Sequence, residues 1–160
     1  MTLDLEAKKV LLRKIPHGLF ICTVKEGDEI NGFTASWVTQ GSFTPPLVVM
    51  AVRSDGSSHE IIRRTKIFSL NVLRKDQKDL AAVFFKPQKG LGGRFESTTY
   101  SFGPKGLPIL EDSVGGVECD LKGEVIYGDH TVFVGEVTYA QLNNDTDSLL
   151  LSSTGWNYGG

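Results

Sequence analysis

The chain has 160 residues, 17 of them Lys or Arg and 19 Asp or Glu, for a formal net charge of −2. That length suits one domain with a substantial core, and 40% apolar with 9% aromatic residues excludes a disordered chain. No long run of one sign occurs, and no apolar run approaches the roughly 18 residues of a membrane span, so neither nucleic acid nor a membrane is an expected partner.

Leu3 to Ile15 has the spacing of a surface helix, ended by Pro16 and Gly18, and does not read as a signal peptide. Leu19 to Val24 reads as a strand, and Glu26-Gly27-Asp28 as a turn. Ile30 to Thr39 reads as one further strand, completing a hairpin. Pro45-Pro46 marks a loop leading into Leu47–Val52, whose unbroken apolar run predicts a strand covered on both faces. Ser57-Ser58-His59-Glu60 matches a capping box, with Ser57 as N-cap and Ile61 and Ile62 facing inward. Arg63, Arg64 and Lys66 then read as a solvated helix end.

Lys66 to Leu73 reads as the next strand. Asp76 is a candidate cap for a helix running to about Phe85, with Leu80, Val83 and Phe84 inward. Lys86 to Gly93, with Pro87, Gly90, Gly92 and Gly93, reads as a mobile loop. In Val114 to Tyr127, alternation puts Val117, Cys119 and Leu121 on one face and Glu118, Asp120 and Lys122 on the other. Thr131 to Gln141 pairs with it across Gly128-Asp129, and Ser148 to Asn157 follows as the closing segment.

Strands outnumber helices, so the expected fold is mainly β: a small antiparallel barrel with two or three short helices, one domain over residues 1–160. Cys22 and Cys119 lie in apolar, strand-like surroundings with no CxxC pair; they read as buried reduced thiols, which points to the cytoplasm. His17, His59 and His130 are scattered without HxH or HxxxH spacing, so no metal site is expected. No GxSxG elbow and no GxGxxG fingerprint after a strand is present.

Two segments carry chemistry. On a continuous strand, Thr34, Ser36, Val38 and Gln40 would share one face, and Phe33, Ala35, Trp37 and Thr39 the other. Small residues at Ala35 and Ser36 would let a planar ring approach the backbone; the same pattern also suits an ordinary edge strand. Arg53-Ser54-Asp55-Gly56-Ser57-Ser58 joins a buried strand to a helix start, where free N–H groups and the helix dipole suit a phosphate. Simple capping by Ser57 is compatible with that. Asp129 and His130 suit either a tight hairpin or a ligand contact. Trp156 and Tyr158 could reach a partner subunit or cap a ring.

Taken together, these segments resemble the flavin reductase-like family, whose members bind FMN, sometimes FAD, in a Greek-key split barrel. The resemblance rests on Thr34 and Ser36, the Pro45-Pro46-Leu47 step, the Arg53–Ser58 turn, Asn71-Val72-Leu73, Ala81–Phe85, Arg94-Phe95, and Gly128-Asp129-His130 with Gly135-Glu136-Val137. It implies an FMN-binding oxidoreductase that takes NAD(P)H as a transient substrate. The flavin would lie against Thr34, Ala35, Ser36, Trp37, Val38 and Thr39, with its phosphate on Arg53, Ser54, Ser57 and Ser58. Arg94, Phe95 and His130 would border the nicotinamide. It also implies a homodimer with the flavin near the interface. An electron-transfer flavoprotein reduced by a protein partner is the alternative within redox chemistry. A non-redox split-barrel binding or interaction module is the alternative outside it.

Overall fold

Asp4 accepts a hydrogen bond from the Ala7 amide at 2.9 Å and so caps α1 (Leu5–Arg13), which ends before Pro16 as the spacing predicts. The computed structural model describes residues 2–90 and 95–160. A hairpin follows, β1 (Phe20–Glu26) and β2 (Glu29–Ala35), turning at Gly27 with φ +59°. Next come β3 (Val38–Ser42), β4 (Leu47–Arg53), α2 (Ser57–Thr65), β5 (Ile67–Val72), α3 (Lys78–Val83) and β6 (Gln88–Gly90). The short pair β7 (Tyr100–Phe102) and β8 (Pro108–Leu110) precedes the long hairpin β9 (Gly115–Ile126) and β10 (His130–Leu142), and one 3₁₀ turn covers Leu151–Ser153.

The main sheet has eight strands in the order β3-β4-β10-β9-β5-β1-β2-β6, every neighbour antiparallel. With β3 and β6 as its edges, this is a split barrel. One core packs α2 through Ile61 and Ile62 onto Cys22, Met50, Phe68 and Phe133. A second core lies on the other face of β1, where Leu19, Ile21, Ile30, Phe84, Phe95 and Leu149 meet. Both cysteines are buried and free. The basic end of α2 is paired: Arg63 holds Glu124 and Arg64 holds Glu26 through two N–H···O contacts each. Among the described residues, no helix is long and apolar enough to cross a membrane.

Several expectations are corrected. Ile30 to Thr39 is not one strand: Ala35 still pairs with Phe20 of β1, but Val38 pairs with Met50 of β4. The chain changes partner at Ser36 and Trp37, which interrupts the alternation of faces. Gly56, not Ser57, is the N-cap of α2, and no side chain caps it. Ser57 Oγ instead accepts from Asn31 Nδ2 at 3.1 Å. Asp76 pairs with Arg74 while Gln77 stands at the start of α3, and Val83 is exposed. Gln88–Gly90 is a strand edge on β2 rather than part of a loop; Leu91 to Gly93 lie outside the described residues. Glu118 is fully buried because its carboxylate accepts from the Lys105 and Leu107 amides at 3.0 and 3.1 Å, tying down the turn before β8.

Candidate active site

The partner switch at Ser36 opens a cavity of about 720 Å³. One wall is the end of β2 and the bend after it: Phe33, Thr34, Ala35, Ser36 and Trp37. Ala51, Val52 and Arg53 of β4 continue that wall, and Gly56, Ser58 and His59 close one end with the start of α2. Phe85 and Pro87 face them, together with Leu151, Trp156, Asn157 and Tyr158 of the last segment. The result is a mostly apolar slot with one helix N-terminus at its end.

The polar groups around this slot differ in whether they are free to bind. Thr34 lines the cavity, but its hydroxyl donates to the Ala81 carbonyl at 2.7 Å and its amide to the Phe84 carbonyl at 2.9 Å, so it fastens β2 to α3. Ser54 is likewise committed: its amide and its hydroxyl both donate to the Asp129 carbonyl at 3.0 Å. Arg53 pairs with Asp55 through Nη2 at 2.5 Å and Nε at 3.1 Å. That guanidinium holds the Asp55 carboxyl below the usual carboxylate range.

Ser58 is the exception. Its hydroxyl is buried and has no hydrogen-bond partner, in the first turn of a helix with no side-chain cap. A buried unpaired hydroxyl costs stability. Beside it, His59 is 3% exposed, with Nε2 at 2.8 Å from Thr131 Oγ1 and Nδ1 at 3.0 Å from Glu60 Oε1. Uncapped helix amides and one free hydroxyl form a donor set suited to an anionic oxygen, with the Arg53–Asp55 ion pair also lining the cavity, and the apolar slot suits a flat ring.

His130 lies beyond Trp37 and lines a second cavity of about 650 Å³ with Lys8, His17 and Asp129. Its Nδ1 is 2.8 Å from Asp129 Oδ1, its Nε2 is 2.8 Å from the Tyr158 hydroxyl, and its ring centroid is 4.6 Å from that of Trp37. The His130 contact holds the Asp129 carboxyl low. Partial burial lowers the pKa of His17 and raises that of Tyr158.

The 12–157 stretch matches the family model described as flavin reductase like domain. This chain belongs to that family. It is 32% identical over 150 residues to the NADH-dependent FAD reductase of Streptomyces globisporus, covering 90% of this chain and 82% of that protein. A solved structure of an NADH:FAD oxidoreductase from the same organism, in complex with NAD and FAD fragments, superposes with a TM-score of 0.81 at 28% identity, covering 100% of this chain and 98% of that one. It is also 30% identical over 142 residues to diflavin flavoprotein A 1 of a Synechocystis strain, covering 88% of this chain and 25% of that protein. Against the first curated relatives it matches, the chain spans only 23–33% of their length.

In this flavin reductase like domain, the expected ring contacts divide in two. Thr34, Ala35, Ser36 and Trp37 line the main cavity. Val38 packs against the first core, and Thr39 is exposed on β3. Of the expected phosphate contacts, Arg53 and Ser58 reach the cavity, while Ser54 and Ser57 are occupied elsewhere. Phe95 is a core residue, edge-on to Phe84 at 5.3 Å, and does not line the cavity. Arg94 lies outside the described residues. His59, Phe85 and Pro87 form part of the site without having been expected there. His59 carried one local signal: it follows Ser58 in the helix that the phosphate turn opens.

Proposed function

We propose that this domain binds FMN or FAD in the main cavity and reduces it with NADH or NADPH. The observation that carries the reading is the buried, unpartnered Ser58 hydroxyl at the uncapped start of α2, lining the same apolar slot as Arg53. Ala35, Ser36 and Trp37 would hold the ring, and the α2 amides with Ser58 and Arg53 would hold the phosphate. When bound, the flavin supplies the hydride-accepting atom N5, so the protein needs no acid or base at that position. Its own work is to orient the ring, exclude water with Phe85 and Trp156, and bring the nicotinamide close through the His130 side.

The test is an absorption spectrum of the protein with added FMN, then anaerobic NADH or NADPH. Flavin uptake with rapid bleaching near 450 nm is expected, the faster nucleotide being the preferred donor. A colourless protein that takes up no flavin would leave a barrel with another job and overturn the reading.

The match to one part of a larger diflavin flavoprotein supports a second reading, an electron-transfer domain reduced by a protein partner. Bound flavin that stays oxidised with both nucleotides would favour it. We also propose a homodimer: no residue of α1 is buried, and its Leu5, Val10 and Leu11 stay open to a second copy. Free thiols at Cys22 and Cys119 support a reducing, cytoplasmic setting.

A further inference from the structure

Trp37, Arg53 and Tyr158 line both cavities, so the two spaces share a wall. We propose that Tyr158 is the latch of this partition: it holds Trp37 and His130 in place between the cavities and so controls how readily a second flat ligand meets one bound in the main slot. This deepens, and rests on, the flavin reading above.

The partition is a cluster of three rings. Tyr158 lies 5.1 Å from Trp37, centroid to centroid, and His130 lies 4.6 Å from it on the side of the second cavity. The Tyr158 hydroxyl meets His130 Nε2 at 2.8 Å, and Asp129 holds the other ring nitrogen, Nδ1, from the β9–β10 turn. Gly159 presses against the indole: a Cβ there would lie 2.6 Å from Trp37 Cζ2, and its φ of +84° favours glycine. The segment is clipped to α1 by Arg13 Nε donating to the Gly159 carbonyl at 3.0 Å and Lys8 Nζ to the Gly160 carbonyl at 2.9 Å.

Each of these clips is solvent-exposed, and Tyr158 itself is 43% exposed. Exposed hydrogen bonds are individually weak, so the closed partition is a local state that opens without unfolding the barrel. The chemistry of the two spaces differs. The main cavity is mostly apolar with a helix N-terminus, whereas Lys8, His17 and His130 line the second with Asp129 and with Arg53, which is paired to Asp55. The second space therefore suits the phosphates of a nucleotide whose ring points at the slot. Hydride transfer needs the two rings within about 3–3.5 Å. The incoming ring must take the volume that Trp37 and Tyr158 fill, so its apparent affinity is lowered by the closed fraction.

Tyr158→Phe keeps the ring and removes the latching hydroxyl, and Tyr158→Ala removes both. Flavin-loaded proteins are mixed anaerobically with increasing NADH in a stopped-flow instrument. Loss of one hydrogen bond should lower the apparent Kd for NADH about two- to tenfold in Tyr158→Phe, and further in Tyr158→Ala, with the change carried by Kd rather than by the limiting rate. In parallel, iodide quenching of Trp37 fluorescence is measured without ligand in a Trp156→Phe background, and it should rise when Tyr158 is changed. If the protein takes up flavin, either readout left unchanged, or weaker NADH binding in Tyr158→Phe, overturns the latch. If the protein takes up no flavin, the flavin reading fails; a rise in quenching then still supports the latch, and no rise overturns it.

Discussion

Ser54, Ser57 and Ser58 look alike in the sequence, yet each does something different. Ser54 grips the Asp129 carbonyl, Ser57 receives Asn31, and Ser58 is left unpaired and buried. Ser58→Ala should therefore leave the ligand-free melting temperature unchanged or slightly raised, since it removes an unsatisfied group. The same change should weaken flavin binding by about 1.5–3 kcal/mol, the worth of a hydrogen bond to a charged oxygen, read by flavin fluorescence titration. A hydroxyl-rich turn was legible at Arg53–Ser58; which hydroxyl stays free depends on Asn31 and Asp129, distant in sequence. The cysteines follow a simpler rule. Burial pushes the Cys22 thiol well up and the Cys119 thiol up to about 12. Iodoacetamide at pH 8 should label neither in the native protein and both in denaturant, as read by intact mass.

At the scale of elements, the β9–β10 pair shows how packing sets composition. Gly135 sits at a register shift opposite β9, and a Cβ there would lie 2.5 Å from Phe68 Cζ and 3.1 Å from Cys119 Cβ. Gly135→Ala should cost about 1–3 kcal/mol by overpacking, seen as a lower Tm. The turn of the same hairpin carries a pH signature. Asp129 titrates lower in the fold than in the unfolded chain, because of His130. Its contribution is thus complete above the unfolded value of about 3.9 and fades as pH falls through the lower folded value. The Tm difference between wild type and Asp129→Asn should be present at pH 7 and vanish in melts run well below pH 4. Both hairpins were legible, because apolar alternation and turn residues are local signals. The break of β2 was not: residues 30–39 have uniform strand character, and only the competing partners, Phe20 on one side and Met50 on the other, decide where the chain bends.

For the whole molecule, the split barrel places a slot where the chain passes from β2, paired with β1, to β3, paired with β4, and the last segment returns to cover it. The proposed dimer belongs to this scale. It predicts sedimentation at about twice the 17.5 kDa chain mass, and Leu11→Glu on the exposed face of α1 should shift the species to monomer. A wild type that sediments as a monomer at high concentration would remove the dimer.

The sequence by itself determined the strand-rich class, the two hairpins, the helix positions, the buried thiols and the family pattern. All of these rest on neighbours a few residues apart or on motifs read in order. The tertiary structure alone decided the strand order, the burial of Glu118, the core position of Phe95 and the membership of the cavity wall. Phe33, Val52, His59, Phe85 and Trp156 come from five separate stretches of chain. They meet because the barrel also pairs β4 with β10, β5 with β9, β1 with β5 and β2 with β6, strands far apart in sequence, and no local preference encodes which strand will be the neighbour.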